Sequence, residues 1–330
     1  MRVSGVGSAA LRGGRLRLRS RAARPRSVGD AVLYGLCALA CLLAVAVLVE
    51  IAYQVFSGAH LAISQYGFGF LTHTGWKPNF GVFGAGVMIF GTVVTSAIAL
   101  AIAAPVGIAI GLYLSMLAPR TVRGVVGPLV ELLAAIPSVI LGFWGILILA
   151  PWLNKHAEPA LHNAFGFLQI FGVPPTTGAS VFTAGLILTI MVLPIIASVS
   201  RDLFLTVPSE LQDGAAALGA TRWEVVRGVV LPSTASGVAA ACFLGLGRAL
   251  GEAIAVTQVI GAGNVIHKSL FLTGDTLASR IANQFQGATT KMHFAALFYL
   301  AAILLVIGVV ANLLAQWIGR RFDVQAGIVQ

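Results

Sequence analysis

The fifth apolar stretch of the chain, near residues 236–262, contains Gly247-Arg248-Ala249-Leu250-Gly251-Glu252, a cation and an anion four positions apart. On an α-helix that spacing puts both on one face, one turn apart. Counted from residue 236 at about 1.5 Å per residue, Arg248 falls about 18 Å along the stretch, near the middle of a bilayer. A charge at that depth costs about 2.5–3.5 kcal/mol on insertion scales, so a pair held there is expected to have a function. The guanidinium offers planar, forked donors suited to a tetrahedral oxyanion in transit. Glu252 would hold the guanidinium between passages and keep the site from trapping an anion. The competing possibility is an Arg–Glu pair that only fastens helices together. Gly245, Gly247 and Gly251 would let a partner helix approach this stretch closely.

A mid-membrane pair needs membrane helices to carry it. Of 330 residues, 58% are hydrophobic and 10% charged, with mean hydropathy +0.93. Soluble chains run near 25% charged. Apolar stretches of about 20 residues, the length that crosses the hydrocarbon core, recur six times. They lie near 31–53, 86–116, 122–152, 177–200, 236–262 and 294–318. The expected fold is an all-α, polytopic integral membrane protein with about six transmembrane helices. The second and third stretches exceed one simple span, and Pro105 and Pro137-Ser138 are expected to break or kink them. Broken helices are tolerated in a membrane only where protein or water covers the freed backbone.

Against this apolar background, the segment Ser209–Pro232 is polar. Ser209 with Gln212, and Thr221 with Glu224, have the spacing of capping boxes that open two short helices. Gly219 suits the left-handed conformation that ends the first helix, and Pro232 is expected to stop the second. The product is a knob at the membrane surface for another protein to grip.

Charge orients the chain. With the N-terminus inside and six spans, fifteen Lys and Arg fall on the cytoplasmic side and five outside, with Arg248 within a span. This partition obeys the positive-inside rule and puts 202–235 in the cytoplasm, with 57–85, 153–176 and 263–293 outside. Both termini are then cytoplasmic.

The net charge of +10 and pI near 10.3 come largely from eight Arg in the first 26 residues, a region with no aromatic side chain. Without stacking partners a nucleic-acid role is not expected, and the tail reads as solvated near anionic lipid headgroups. The span after it is longer than a signal-peptide core and reads as an uncleaved anchor, despite a faint cleavage-like Ser57-Gly58-Ala59. Cys37, Cys41 and Cys242 lie in expected spans and read as small packing residues. The six histidines, all in expected external segments, lack metal-ligand spacing, so neither metal nor cofactor is expected.

The knob also resembles a known family. Asp213-Gly214-Ala215, then Gly219, then Val229-Val230-Leu231-Pro232 keeps the spacing of the "EAA" loop of ABC-transporter permeases, with Asp213 in place of Glu and Gly214 in place of the first Ala. The resemblance implies that Gln212, Asp213, Ala215, Ala216, Leu218, Gly219, Leu231 and Pro232 dock onto an ATP-hydrolysing subunit. Across most of 66–262 the chain is similar to the phosphate-specific members. The matching patches are Trp76-Lys77-Pro78 with Phe83-Gly84 and Gly91-Thr92, the segment Leu133–Phe143, and Arg248–Thr257. Ala253 stands where the family commonly has Thr.

The resemblance implies a type I importer permease with Arg248, Glu252 and Thr257 on the substrate path. It also implies a bacterial inner-membrane location and, as partners, a second permease, two copies of an ATPase and an external phosphate-binding protein. The expected organisation is a cytoplasmic tail 1–28, an anchor and external segment 29–85, a permease core 86–322 and a tail 323–330.

The chain has no nucleotide-binding loop of its own, because none of Lys77, Lys155, Lys268 and Lys291 follows a Gly. It is therefore expected to be no enzyme, and ATP must be hydrolysed by a partner. Two alternatives stand beside phosphate import. One is a permease for another oxyanion, such as molybdate or sulfate. The other is an ion-gradient transporter with inverted repeats, which the dissimilar halves of this chain disfavour.

Overall fold

A computed structural model describes residues 28–326, except for the side chains from residue 320 onward. The Arg-rich segment 1–27 and residues 327–330 lie outside it, and with them most of the two expected tails. Among the described residues the regular structure is helical, apart from one isolated bridge between Lys77 and Val82. Ten helices carry the bundle, the knob and the elements around the charged pair. They are α1 (Val28–Tyr66), α2 (Gly86–Leu117), α3 (Arg120–Ala134), α4 (Ser138–Phe165) and α5 (Val181–Leu205). After these come α6 (Ser209–Ala217), α7 (Arg222–Gly251), α8 (Ile254–Val259), α9 (Leu277–Gln284) and α10 (Lys291–Ala326). Six of them, α1, α2, α4, α5, α7 and α10, are long and apolar enough to cross a membrane.

Contacts divide the chain between Ile51 and Ala52. In the first unit, Val28–Ile51 is one helical stretch whose apolar side chains are all exposed, as lipid-facing residues are. The second unit carries everything else. Ser57-Gly58-Ala59 lies within α1, with Ala59 buried and no room for a Cβ on Gly58 beside Phe298.

The apolar stretch 122–152 is not a single span. Its first half is α3, an amphipathic helix tied by Glu131 to Arg201 of α5 at 2.9 Å. The chain leaves helix at Ala135, Pro137 adopts an extended conformation (ψ 136°), and α4 starts at Ser138. Proline excludes the preceding Ile136 from helical geometry, which explains the joint. Pro105, by contrast, lies inside an unbroken α2.

Pro232 does not stop the second short helix either. Arg222–Gly251 is continuous, and Val226–Val230 forms a wide π-type turn just before the proline. Proline lacks an N–H and its ring clashes with the carbonyl four residues back, and widening one turn relieves both problems. Just past the proline, Ser233 Oγ donates to Val229 O at 2.5 Å and Thr234 Oγ1 to Val230 O at 2.8 Å, side-chain bonds back onto the preceding turn.

The bundle centres on α5, the most enclosed of the six spans, packed along α2. At the N-terminal end of α2 a polar clamp closes the fold. Arg280 of α9 and Asp275 form an ion pair at 2.6 Å, both buried. Burial pushes the Asp275 carboxyl up and the Arg280 guanidinium down from their ordinary values, each opposed by the other's charge. Arg280 also donates to Asn264 Oδ1 at 2.6 Å and lies over the Trp76 ring, whose Nε1 donates to Gln284 Oε1 at 2.7 Å. Gln284 Oε1 is in turn 3.1 Å from His293 Nε2. Leu277 N donates to Thr92 Oγ1 at 2.9 Å, and Gly91 lies so close under Asp275 O that a Cβ there would overlap it.

Candidate substrate path and coupling knob

Arg248 is in the last turn of α7, not midway along a helix that starts at 236. The helix ends at Gly251, and Glu252 is extended at ψ 117°. The two charges therefore face each other across a helix end rather than along one helical face. Arg248 Nη2 is 3.8 Å from Glu252 Oε2, and the side chains are 41% and 9% exposed respectively. The other carboxylate oxygen, Oε1, accepts from Ala255 N at 3.3 Å and so anchors the start of α8. A cation in the last turn is also favoured by the helix dipole, which lowers the cost of holding it in an apolar setting. Glycine at 251 gives the helix an easy place to end.

The pair lies at one end of a groove of about 1200 Å³ between α7 and α10. The wall from α7 runs from Ser236 to Gly251, with Glu252 just beyond the helix end, and the wall from α10 from Gly308 to Gly319. Arg248 is the cationic side chain among its lining residues, and Glu252 the anionic one. Thr257 is elsewhere. Its hydroxyl donates to Ala253 O at 2.7 Å and lies 3.0 Å from the Ser279 hydroxyl, which can donate to it and so joins α8 to α9. The three small residues expected to admit a neighbouring helix also separate. Gly245 faces α5, where an added Cβ would lie 2.5 Å from Val192 Cγ1, while Gly247 and Gly251 have nothing within 4 Å.

The knob occupies the other end of α7. Gly219 has φ +93°, the left-handed conformation that terminates α6 after Ala217 and Leu218. At Thr221 the expected capping box is formed, with Thr221 Oγ1 accepting from Glu224 N and Glu224 Oε2 accepting from Thr221 N at 2.7 Å. At Ser209 it is not. Pro208 takes the N-cap position with no side-chain bond, and Gln212 Nε2 donates back to Val207 O at 3.1 Å.

Asp213, Ala216 and Gly219 are exposed, and Leu218 is 92% exposed. Ala215 and Gln212 are half-buried on the inner side of the same helix. Val229 and Leu231 pack against a small core of Phe204, Val207, Val230 and Val238, while Pro232 is exposed. The aliphatic-x-Leu-Pro ending is thus the part that seats the knob, and the α6–Gly219 part is what it presents.

Two features escaped sequence inspection. The buried Asp275–Arg280 pair was visible only as an external charge, because nothing in the spacing of 263–293 says that the loop folds inward. Asn312 and Gln316 line the groove opposite α7. Their separation of four within an apolar span was a usable signal.

Residues 105–324 match the family described as "Binding-protein-dependent transport system inner membrane component". The chain is 41% identical over 313 residues to "Phosphate transport system permease protein PstC" of Mesorhizobium japonicum, covering 94% of this chain and 95% of that one. It is 43% identical to the protein of the same name from Pasteurella multocida, over 82% of this chain and 85% of that one. Its fold is similar to a chain in the crystal structure of a bacterial alginate ABC transporter bound to its periplasmic protein. There the TM-score is 0.59 at 20% identity, covering 89% of this chain and 99% of the other. The chain is therefore a multi-pass membrane protein that belongs to the binding-protein-dependent transport system inner membrane components, within the ABC-transporter permeases of the phosphate-specific import group.

Proposed function

We propose that this chain is the membrane subunit of an ATP-driven importer of inorganic phosphate, and that Arg248 and Glu252 are on the path. The observation that carries the proposal is the half-exposed Arg248 at the end of an apolar groove, held by its carboxylate at 3.8 Å rather than in a closed contact. A guanidinium so placed can exchange one oxyanion, the Glu252 carboxylate, for another, a phosphate with its forked acceptor oxygens. Glu252 then re-engages the vacated guanidinium, which favours passage over tight binding. The knob at Asp213–Gly219 would dock onto an ATPase, two copies of which serve this chain and a second permease, with an external phosphate-binding protein delivering the substrate. Relatives named for phosphate transport support that choice of anion over molybdate or sulfate.

Radiolabelled phosphate uptake tests the path. Arg248→Gln should abolish uptake while the complex remains assembled in the membrane, and wild-type uptake by that variant would reduce the pair to a helix fastener. The proposed orientation puts the knob and both termini in the cytoplasm. On a cysteine-free background an impermeant thiol reagent applied to intact cells should label Val265→Cys and not Ser209→Cys; the reverse pattern would overturn the orientation.

A further inference from the structure

We propose that Asn312 and Gln316 form the second wall of the anion path, taking a tetrahedral oxyanion from Arg248 and passing it along the groove toward Ser236. The proposal rests on the assignment of Arg248 to the path and adds to it an uncharged half. Four observations lead there. First, Asn312 and Gln316 are four residues apart on α10, so they share a face and are separated by about 6 Å of helix rise. Both are exposed on a helix that otherwise shows lipid-compatible side chains there, such as Leu313 and Leu314. Second, that shared face is the one that lines the groove with Arg248 and Glu252.

Third, the groove is kept wide. A Cβ added at Gly247, Gly251, Gly308 or Gly319 would meet no atom within 4 Å, so packing inside the chain does not require glycine at any of them. The contrast is Gly245 on the same helix, which packing against Val192 does require. Fourth, the chemistry fits a hand-over. A phosphate at neutral pH carries acceptor oxygens and P–O–H donors together, and a carboxamide offers both a donor NH₂ and an acceptor oxygen. Being neutral, two amides can solvate the anion stepwise without the deep well that a second arginine would create. From Glu252 to Ser236 is sixteen residues, about 24 Å of helix. A single guanidinium cannot serve that length alone.

The competing role for such amides is hydrogen bonding to a neighbouring membrane helix. The two roles separate by accessibility and by charge preference. Cysteines would be placed at 312 and 316 in the assembled transporter, with Cys37, Cys41 and Cys242 replaced by Ser. Membrane vesicles would then be treated with an anionic and with a cationic methanethiosulfonate of similar size.

If the inference holds, both cysteines react during ATP turnover, the anionic reagent reacts several-fold faster, and inorganic phosphate slows it. Adding Arg248→Gln should erase the anion preference. Cysteines inert to both reagents would overturn the proposal in favour of a helix-to-helix role, and so would equal reaction with both reagents without phosphate protection. As an independent check, Gln316→Glu should cut phosphate uptake far more than Gln316→Asn at equal complex level; equal losses would count against the path. Wild-type uptake by Arg248→Gln alone would remove the path on which this rests. Lost uptake there with inert cysteines would remove only the second wall.

Discussion

Arg248 and Arg280 each face a carboxylate, and the two pairs are built in opposite ways. Arg280 and Asp275 meet at 2.6 Å with side chains 3% and 1% exposed, inside a network that includes Asn264, Trp76 and Gln284. Arg248 and Glu252 are 3.8 Å apart on a groove wall, with 41% of the arginine side chain open. A closed, dry pair cannot trade partners without exposing a buried charge, so it fastens. An open pair across a helix end can trade, because the incoming anion replaces the carboxylate before the guanidinium is bare. A fastening pair of the closed kind is the one at Arg280, while the geometry at Arg248 is the open kind.

The largest expected effect comes from breaking the fastening pair. Arg280→Leu strands the Asp275 carboxylate in the interior at a cost of about 3–5 kcal/mol. The amount of chain in the membrane, and the melting temperature of the purified complex, should fall steeply. Asp275→Asn combined with Arg280→Gln should recover most of the loss, because no charge is then left buried. Normal levels for Arg280→Leu would erase the distinction between the two pairs.

The open pair should respond in rate instead. Arg248→Lys keeps the charge and loses the fork, and removing one charge-assisted hydrogen bond of about 1.5 kcal/mol slows uptake about tenfold. Complex levels should stay unchanged. A lysine variant with full uptake would show that only a point charge matters.

The knob should respond more mildly, through its backbone. No atom lies within 4 Å of a Cβ built on Gly219, so Gly219→Val acts only by disfavouring φ +93°, at about 1–2 kcal/mol. Transport-coupled ATP hydrolysis should drop by several-fold in the reconstituted transporter. Gly219→Asn should lose much less, since asparagine visits that conformation. Equal losses in the two variants would point to a steric rather than a conformational cause.

The smallest effect is Thr221→Ala, which removes the hydroxyl that accepts from Glu224 N and donates to Glu224 Oε2, a cap worth about 1 kcal/mol. Amide exchange over 222–225 should speed about fivefold while phosphate uptake barely changes. An unchanged exchange rate would show that Glu224 alone holds the cap.

Much of this was legible in the residues, for identifiable reasons. Four of the six spans lie where hydropathy alone puts them, because a membrane helix satisfies its backbone internally and needs little tertiary context. The left-handed turn at Gly219 and the box at Thr221 were readable because both are local. What failed needed long-range information. Hydropathy does not distinguish α3 from a span, because the Glu131–Arg201 contact that holds α3 joins residues seventy positions apart. The depth assigned to Arg248 depended on where its helix starts and stops. Proline at 232 suggested a stop, yet a widened turn carries the helix past it, and Glu252 ends the helix by turning to cap α8. Ser209 lost its capping role to Pro208, a competition that residue spacing cannot decide.

That passage through Pro232 has a mechanical consequence. The Arg222–Val225 foot of the knob and Arg248 belong to one continuous helix, whose regular winding is interrupted at its foot by the five-residue wide turn. From Leu231 to Arg248 the helix is about 25 Å long, so a tilt of about 5° at the turn swings the guanidinium roughly 2 Å. Such a swing is comparable with the gap that separates a loose ion pair from a closed one. A small angular stroke applied at the surface would thereby be geared into the making or breaking of a single contact in the groove.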